Sequence, residues 1–112
     1  MKKILIYAME GKKMCFLHAL MNAKQLKEQG NEVKIIIEGE ACKLIGELEK
    51  ENNNLYVELK ASKIIAGVCL ACSKVLGVFE TNEASGIPLL ADMMGHAGIA
   101  QYLSNGYETV VF

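Results

Sequence analysis

The sequence predicts an α/β fold: a single three-layer domain, residues 1–112, with a mostly parallel, flavodoxin-like sheet. Three observations predict it. Short, nearly continuous apolar runs alternate with amphipathic helical segments, the rhythm of βαβ units. No repeat, charge block or proline-rich linker divides the chain, which holds a single proline, Pro88. At 112 residues it is too short for two independent cores, yet 52% of its residues are hydrophobic, enough for one.

Taken in order, Lys3 to Ala8 is the first strand, an apolar run suited to a sheet covered on both faces. A helix follows, because Phe16, Ala19, Leu20, Ala23 and Leu26 recur at helical spacing and Gly30 supplies a stop. Val33 to Ile37 is the second strand. A second helix over about Glu40 to Glu51 buries Leu44, Ile45 and Leu48 and ends at the three asparagines 52–54. Leu55 to Lys60 reads equally as a short strand or a helical turn. Ile64 to Val68 is the third strand, and Cys69 to Leu76 a short helix closed by Gly77. Gly86 to Leu90 is extended because proline restricts its predecessor. Gly95 to Asn105 reads as a helix stopped by Gly106, and Tyr107 to Phe112 as the last strand.

Composition excludes several classes of function. Twelve basic residues against thirteen acidic ones give a formal net charge of −1, which removes the electrostatic basis for binding nucleic acid. All the basic residues are lysines, so bidentate guanidinium recognition of phosphates or carboxylates is excluded. The apolar runs are far shorter than a bilayer requires, and the chain reads as a soluble, cytoplasmic protein. In that compartment four cysteines imply reduced thiols and not a disulfide scaffold.

The strongest site signal is Cys69-Leu70-Ala71-Cys72. Cys69 falls where the third strand ends and Cys72 where the next helix begins, so the helix start favours a thiolate at Cys69. Nucleophile and metal ligand both fit, against the alternative of two small buried hydrophobes. Cys15 and His18 lie three residues apart in the first helix and share one face. If the first and third strands are neighbours, Cys15, His18, Cys69 and Cys72 converge, as a thiolate–imidazole pair or a four-ligand site for zinc or another transition metal. His96 in Gly95-His96-Ala97-Gly98 is a candidate acid, base or cap. Cys42 reads as structural. Glu10, Glu38 and Glu40 lie just beyond strand ends, where carboxylates are ordinarily solvated.

From Ile65 to Cys72, with the following Leu76-Gly77, the sequence resembles the DsrE/DsrF-like family of small sulfur-relay proteins. Lys27 to Val33 and the closing Gly106 to Phe112 match that family's general layout. The resemblance implies a compact α/β domain, assembled as a homo-trimer or hexamer, that passes sulfur as a cysteine persulfide between donor and acceptor proteins. It implies Cys69 as the sulfur-bearing residue and requires no cofactor. Cys72 departs from the simplest pattern of that family, and it would resolve the persulfide, form a disulfide with Cys69 or complete a metal site. A thioredoxin-like dithiol reading would instead require Pro88 to be cis beside the thiols.

Overall fold

The computed structural model describes residues 1–112 and contains a five-stranded, all-parallel sheet flanked by helices, an α/β architecture of the flavodoxin-like, three-layer kind. The strands are β1 (Lys3–Ala8), β2 (Glu32–Ile37), β3 (Ile65–Cys69), β4 (Leu89–Leu90) and β5 (Glu108–Val111). The helices are α1 (Lys13–Glu28), α2 (Ile45–Glu51), α3 (Asn54–Ala61), α4 (Leu70–Val75), α5 (Phe79–Ala84) and α6 (Ala100–Ser104). No helix is long and apolar enough to cross a membrane.

The strand order is β4-β3-β2-β1-β5. Going from β1 to β4 the chain steps in one direction, so right-handed crossovers place α1 to α5 on one face. The return from β4 to β5 runs the opposite way and carries α6 to the other face. Ile35, Ile36 and Ile37 on β2 are all fully buried, which is why that strand is an unbroken apolar run and not an alternating one. Phe16, Leu20 and Ala23 of α1, with Leu48, Tyr56 and Leu59 of the next two helices, join them in one continuous core.

The structure resolves one segment that the sequence leaves open and departs from the sequence reading elsewhere. β2 lies between β1 and β3, so the expected adjacency of the first and third strands is absent. The segment left open at Leu55 to Lys60 is helical, because the Asn53 side chain accepts a hydrogen bond from the Tyr56 N–H at 3.0 Å and caps α3. The residues expected to open α2 form a separate 3₁₀ turn, Gly39–Leu44, and α5 was not foreseen. The expected helix from Gly95 shrinks to α6, because Met94 (φ 51°) and Gly95 (φ 93°) are left-handed and close a tight hairpin. In it Met93 and His96 exchange backbone hydrogen bonds of 2.8 Å. Every peptide bond is trans, Pro88 included, so the cis-proline of the thioredoxin analogy is missing.

Gly67 is required by packing. A Cβ there would overlap the Leu90 side chain, so the missing side chain lets β4 pair with β3 at Val68 and Cys69.

Candidate functional site

The carboxyl ends of β2 and β3 and the loop after β4 meet at one point, where open parallel sheets ordinarily place ligands. Glu38 follows the last residue of β2, Cys69 ends β3, Cys72 lies in the first turn of α4, and His96 comes from the hairpin after β4. Their ligand atoms all lie within 4.8 Å of one another.

His96 Nδ1 is 3.2 Å from the Cys69 Sγ and 3.4 Å from the Cys72 Sγ. The Cys72 thiol donates to Glu38 Oε1 at 2.7 Å, and the same oxygen is 3.6 Å from His96 Nδ1. Cys69 caps α4, its sulfur accepting from the Cys72 N–H at 3.3 Å. A buried polar network secures that helix: Ser73 Oγ donates to the Cys69 carbonyl at 2.7 Å, and Asn82 of α5 donates to Ser73 Oγ and to the Cys42 carbonyl.

The His96 loop is fixed from several sides. The Ala97 N–H donates to Glu38 Oε2 (3.1 Å), the Ala97 carbonyl accepts from the Tyr7 hydroxyl, and the Gly98 N–H donates to Asp92. The Gly95 carbonyl accepts from the Ala71 N–H in α4. Glu38 is thereby locked between two backbone N–H groups, those of Gly39 and Ala97, and points inward.

The electrostatics are unusual for an interior. The Glu38 side chain is only 7% exposed and no lysine pairs with it. Burial drives its carboxyl upward, but the hydrogen bonds from Cys72, Gly39 and Ala97 outweigh that and hold it below the ordinary carboxylate value. Burial, then the hydrogen bond to Glu38, pushes the Cys72 thiol well above the usual thiol range. Tyr7 is raised too, by burial and then by the Glu38 charge. A buried carboxylate beside two thiols and an imidazole is a donor set that could hold a metal ion, since buried charges are stabilised by pairing or by coordination.

Access is unequal. Cys69 has no exposed surface, whereas Cys72 is 9% exposed and lines a depression of about 220 Å³ together with Gly39, Glu40, Val75, Leu76 and His96. The accessible helix-start thiol expected at Cys69 is therefore found at Cys72. Two larger depressions, of about 650 and 670 Å³, contain neither thiol nor imidazole.

Of the sequence candidates, Cys69, Cys72 and His96 come together. Cys15 and His18 do not join them. They line a separate shallow depression with Glu10, Asn22 and Phe112, because β2 separates the strand before α1 from the strand that carries Cys69. Cys42 is buried in the 3₁₀ turn, as expected of a structural residue, with its thiol pushed up to about 12 by burial. Glu38 is the member that sequence reasoning discounted. Its position directly after a strand end was the available signal.

No family model matches the chain, and no solved structure matches it. The uncharacterized protein MJ0733 of Methanocaldococcus jannaschii is 37% identical over 94 residues, which cover 84% of this chain and 77% of that protein. An uncharacterized protein of Archaeoglobus fulgidus is 45% identical over 40 residues, covering 36% of this chain and 66% of that protein. On the length and identity of the first match, the chain belongs to the family of the Methanocaldococcus protein MJ0733.

Proposed function

We propose that this protein carries sulfane sulfur on the Cys69–Cys72 pair, acting as a sulfur carrier or sulfurtransferase of the DsrE/DsrF-like kind. The observation that carries the reading is a single imidazole nitrogen, His96 Nδ1, in contact with both thiols beside a pocket of about 220 Å³. That space is below the roughly 300 Å³ at which pockets begin to enclose metabolites. It suits a reaction that moves one atom between thiols, with the rest of the substrate remaining outside on a donor or acceptor protein. No cofactor is needed, and on this reading the working form is a homo-trimer or hexamer in the cytoplasm.

Intact mass before and after incubation with polysulfide tests it. The expected result is a reducible gain of about 32 Da per sulfur atom, absent when Cys69 and Cys72 are both replaced by serine. Equal gain in that double variant sinks the reading.

A second reading, a zinc or other transition-metal module, is favoured by one specific observation: Glu38 is a buried carboxylate that no lysine pairs with, its nearest ionisable base being His96 Nδ1 at 3.6 Å. Glu38, Cys69, Cys72 and His96 would be the ligands, in a mixed oxygen, sulfur and nitrogen set that zinc accepts as a tetrahedron. Elemental analysis of protein purified without chelator tests this reading. One equivalent of metal, lost in His96→Ala, supports it, and metal far below one equivalent removes it.

A further inference from the structure

The two thiols of the motif are not equivalent, and their placement assigns them different roles. Cys69 ends β3 with its side chain fully enclosed, its sulfur held by the Cys72 N–H at 3.3 Å and by the His96 ring. A sulfur donor presenting a persulfide cannot reach that atom without opening the sheet end. Cys72 lies three residues further on, in the first turn of α4, and its side chain lines the pocket. Its sulfur is aimed by Glu38, which accepts the thiol hydrogen at 2.7 Å and is itself anchored by the Gly39 and Ala97 N–H groups. The space for one additional sulfur atom is therefore beside Cys72. Behind it, Cys69 waits with its sulfur within 4.8 Å, close enough for a disulfide to form with a modest side-chain shift.

Resting on the sulfur-carrier reading, we propose that Cys72 is the thiol that takes sulfur from the donor and that Cys69 is the thiol that discharges it. This is the reverse of the order implied by the family resemblance. In the first step the Cys72 sulfur bonds to the outer sulfur of a donor persulfide, the donor's S–S bond breaks, and the donor leaves as a thiol with the proton that Cys72 gives up. The products are a Cys72 persulfide and a reduced donor, with no net oxidation. In the second step, when no acceptor is docked, the Cys69 sulfur bonds to the Cys72 Sγ and the bond from Cys72 to the outer sulfur breaks. That outer sulfur leaves as hydrogen sulfide, taking the Cys69 proton. The Cys69 thiol is oxidised and the outer sulfur reduced to sulfide, so the Cys69–Cys72 disulfide forms without any external oxidant. Cys69 thereby limits the lifetime of an undelivered persulfide.

The test combines native alkylation of the wild-type protein with sulfur loading of two variants. In wild type, limiting iodoacetamide followed by peptide mapping should modify Cys72 on the order of tenfold faster than Cys69, because Cys72 lines the pocket whereas Cys69 is fully enclosed, and enclosed thiols are inert. After polysulfide treatment, Cys69→Ser should hold a persistent gain of about 32 Da mapped to Cys72, and Cys72→Ser should hold none at Cys69. In wild type the gain of about 32 Da should be transient, giving way to a loss of about 2 Da as sulfide is released. Faster alkylation of Cys69, or loading at Cys69 in Cys72→Ser with none at Cys72 in Cys69→Ser, overturns the assignment. If no form takes up sulfur while Cys72 still alkylates first, the carrier reading fails and takes the two sulfur-transfer roles with it, leaving only the difference in access between the thiols. Because the alkylation arm uses wild-type protein, the order can be overturned even if a serine variant does not fold.

Discussion

The hydroxyl of Tyr7, on β1, donates to the carbonyl of Ala97 at 2.7 Å across 90 residues of chain. It ties the loop carrying His96 to a central strand. The Tyr7→Phe variant removes one partly buried hydrogen bond and leaves the ring, so we expect a loss of about 1 kcal/mol. Urea titration should read this as a lower midpoint at unchanged slope. His96 loses part of its restraint in the same variant, and limiting alkylation at Cys72 should accelerate.

Burial, and then the hydrogen bond to Glu38, raise the Cys72 thiol. In wild type, the rate of Cys72 alkylation should therefore go on climbing with pH beyond the ordinary thiol value of about 8.5. Glu38→Gln removes the negative charge, and the midpoint of the rate–pH curve should move to lower pH. An unmoved midpoint would assign the raised thiol to burial alone.

Stability should fall at both ends of the pH scale. The Glu38 carboxyl is held below its ordinary value in the folded protein, so its contribution is present above about pH 4.3 and is lost as pH falls through the folded value. The Cys42 thiol is raised to about 12, so its contribution is complete below about pH 8.5 and disappears as pH rises toward that value. Urea midpoints between pH 7 and 11 should decline, and Cys42→Ala should make the decline shallower.

Gly67→Ala places a methyl group against Leu90. Overpacking of this kind costs about 1–3 kcal/mol, and Leu90→Ala in the same chain should recover part of it. Thermal denaturation of the two single variants and the double variant reads the coupling.

Cys15→Ser should leave sulfur loading and metal content at wild-type levels, because that residue lines a different depression from the Glu38, Cys69, Cys72 and His96 group. A drop in either quantity would tie the α1 pair to the site after all.

The strands and the larger helices were legible because apolar runs and helical periodicity are local properties. Cys69 and Cys72 were legible for the same reason, since a strand end followed by a helix start is visible in a few residues. Glu38 was not, because what makes it more than a solvated carboxylate is the Ala97 N–H, 59 residues away. The expected convergence of Cys15 and His18 with the motif depended on strand order, and single-strand patterns carry no information about which strands become neighbours. His96 was named for its chemistry but assigned to a helix. Two left-handed residues at Met94 and Gly95, one of them a type that seldom adopts that conformation, made it a hairpin.

The pairing of β5 with β1, Ile4 opposite Glu108 through Tyr7 opposite Val111, has a consequence for how the chain assembles. Parallel strands so far apart in sequence cannot zip from a turn, and non-local pairing of this kind slows folding. During synthesis β1 emerges first, yet one of its edges stays open until residues 108–111 have left the ribosome. An unpaired edge is a template for another chain. Translation that stalls after residue 107 would therefore release a species with an open β1 edge, able to recruit the same strand from a neighbouring nascent chain.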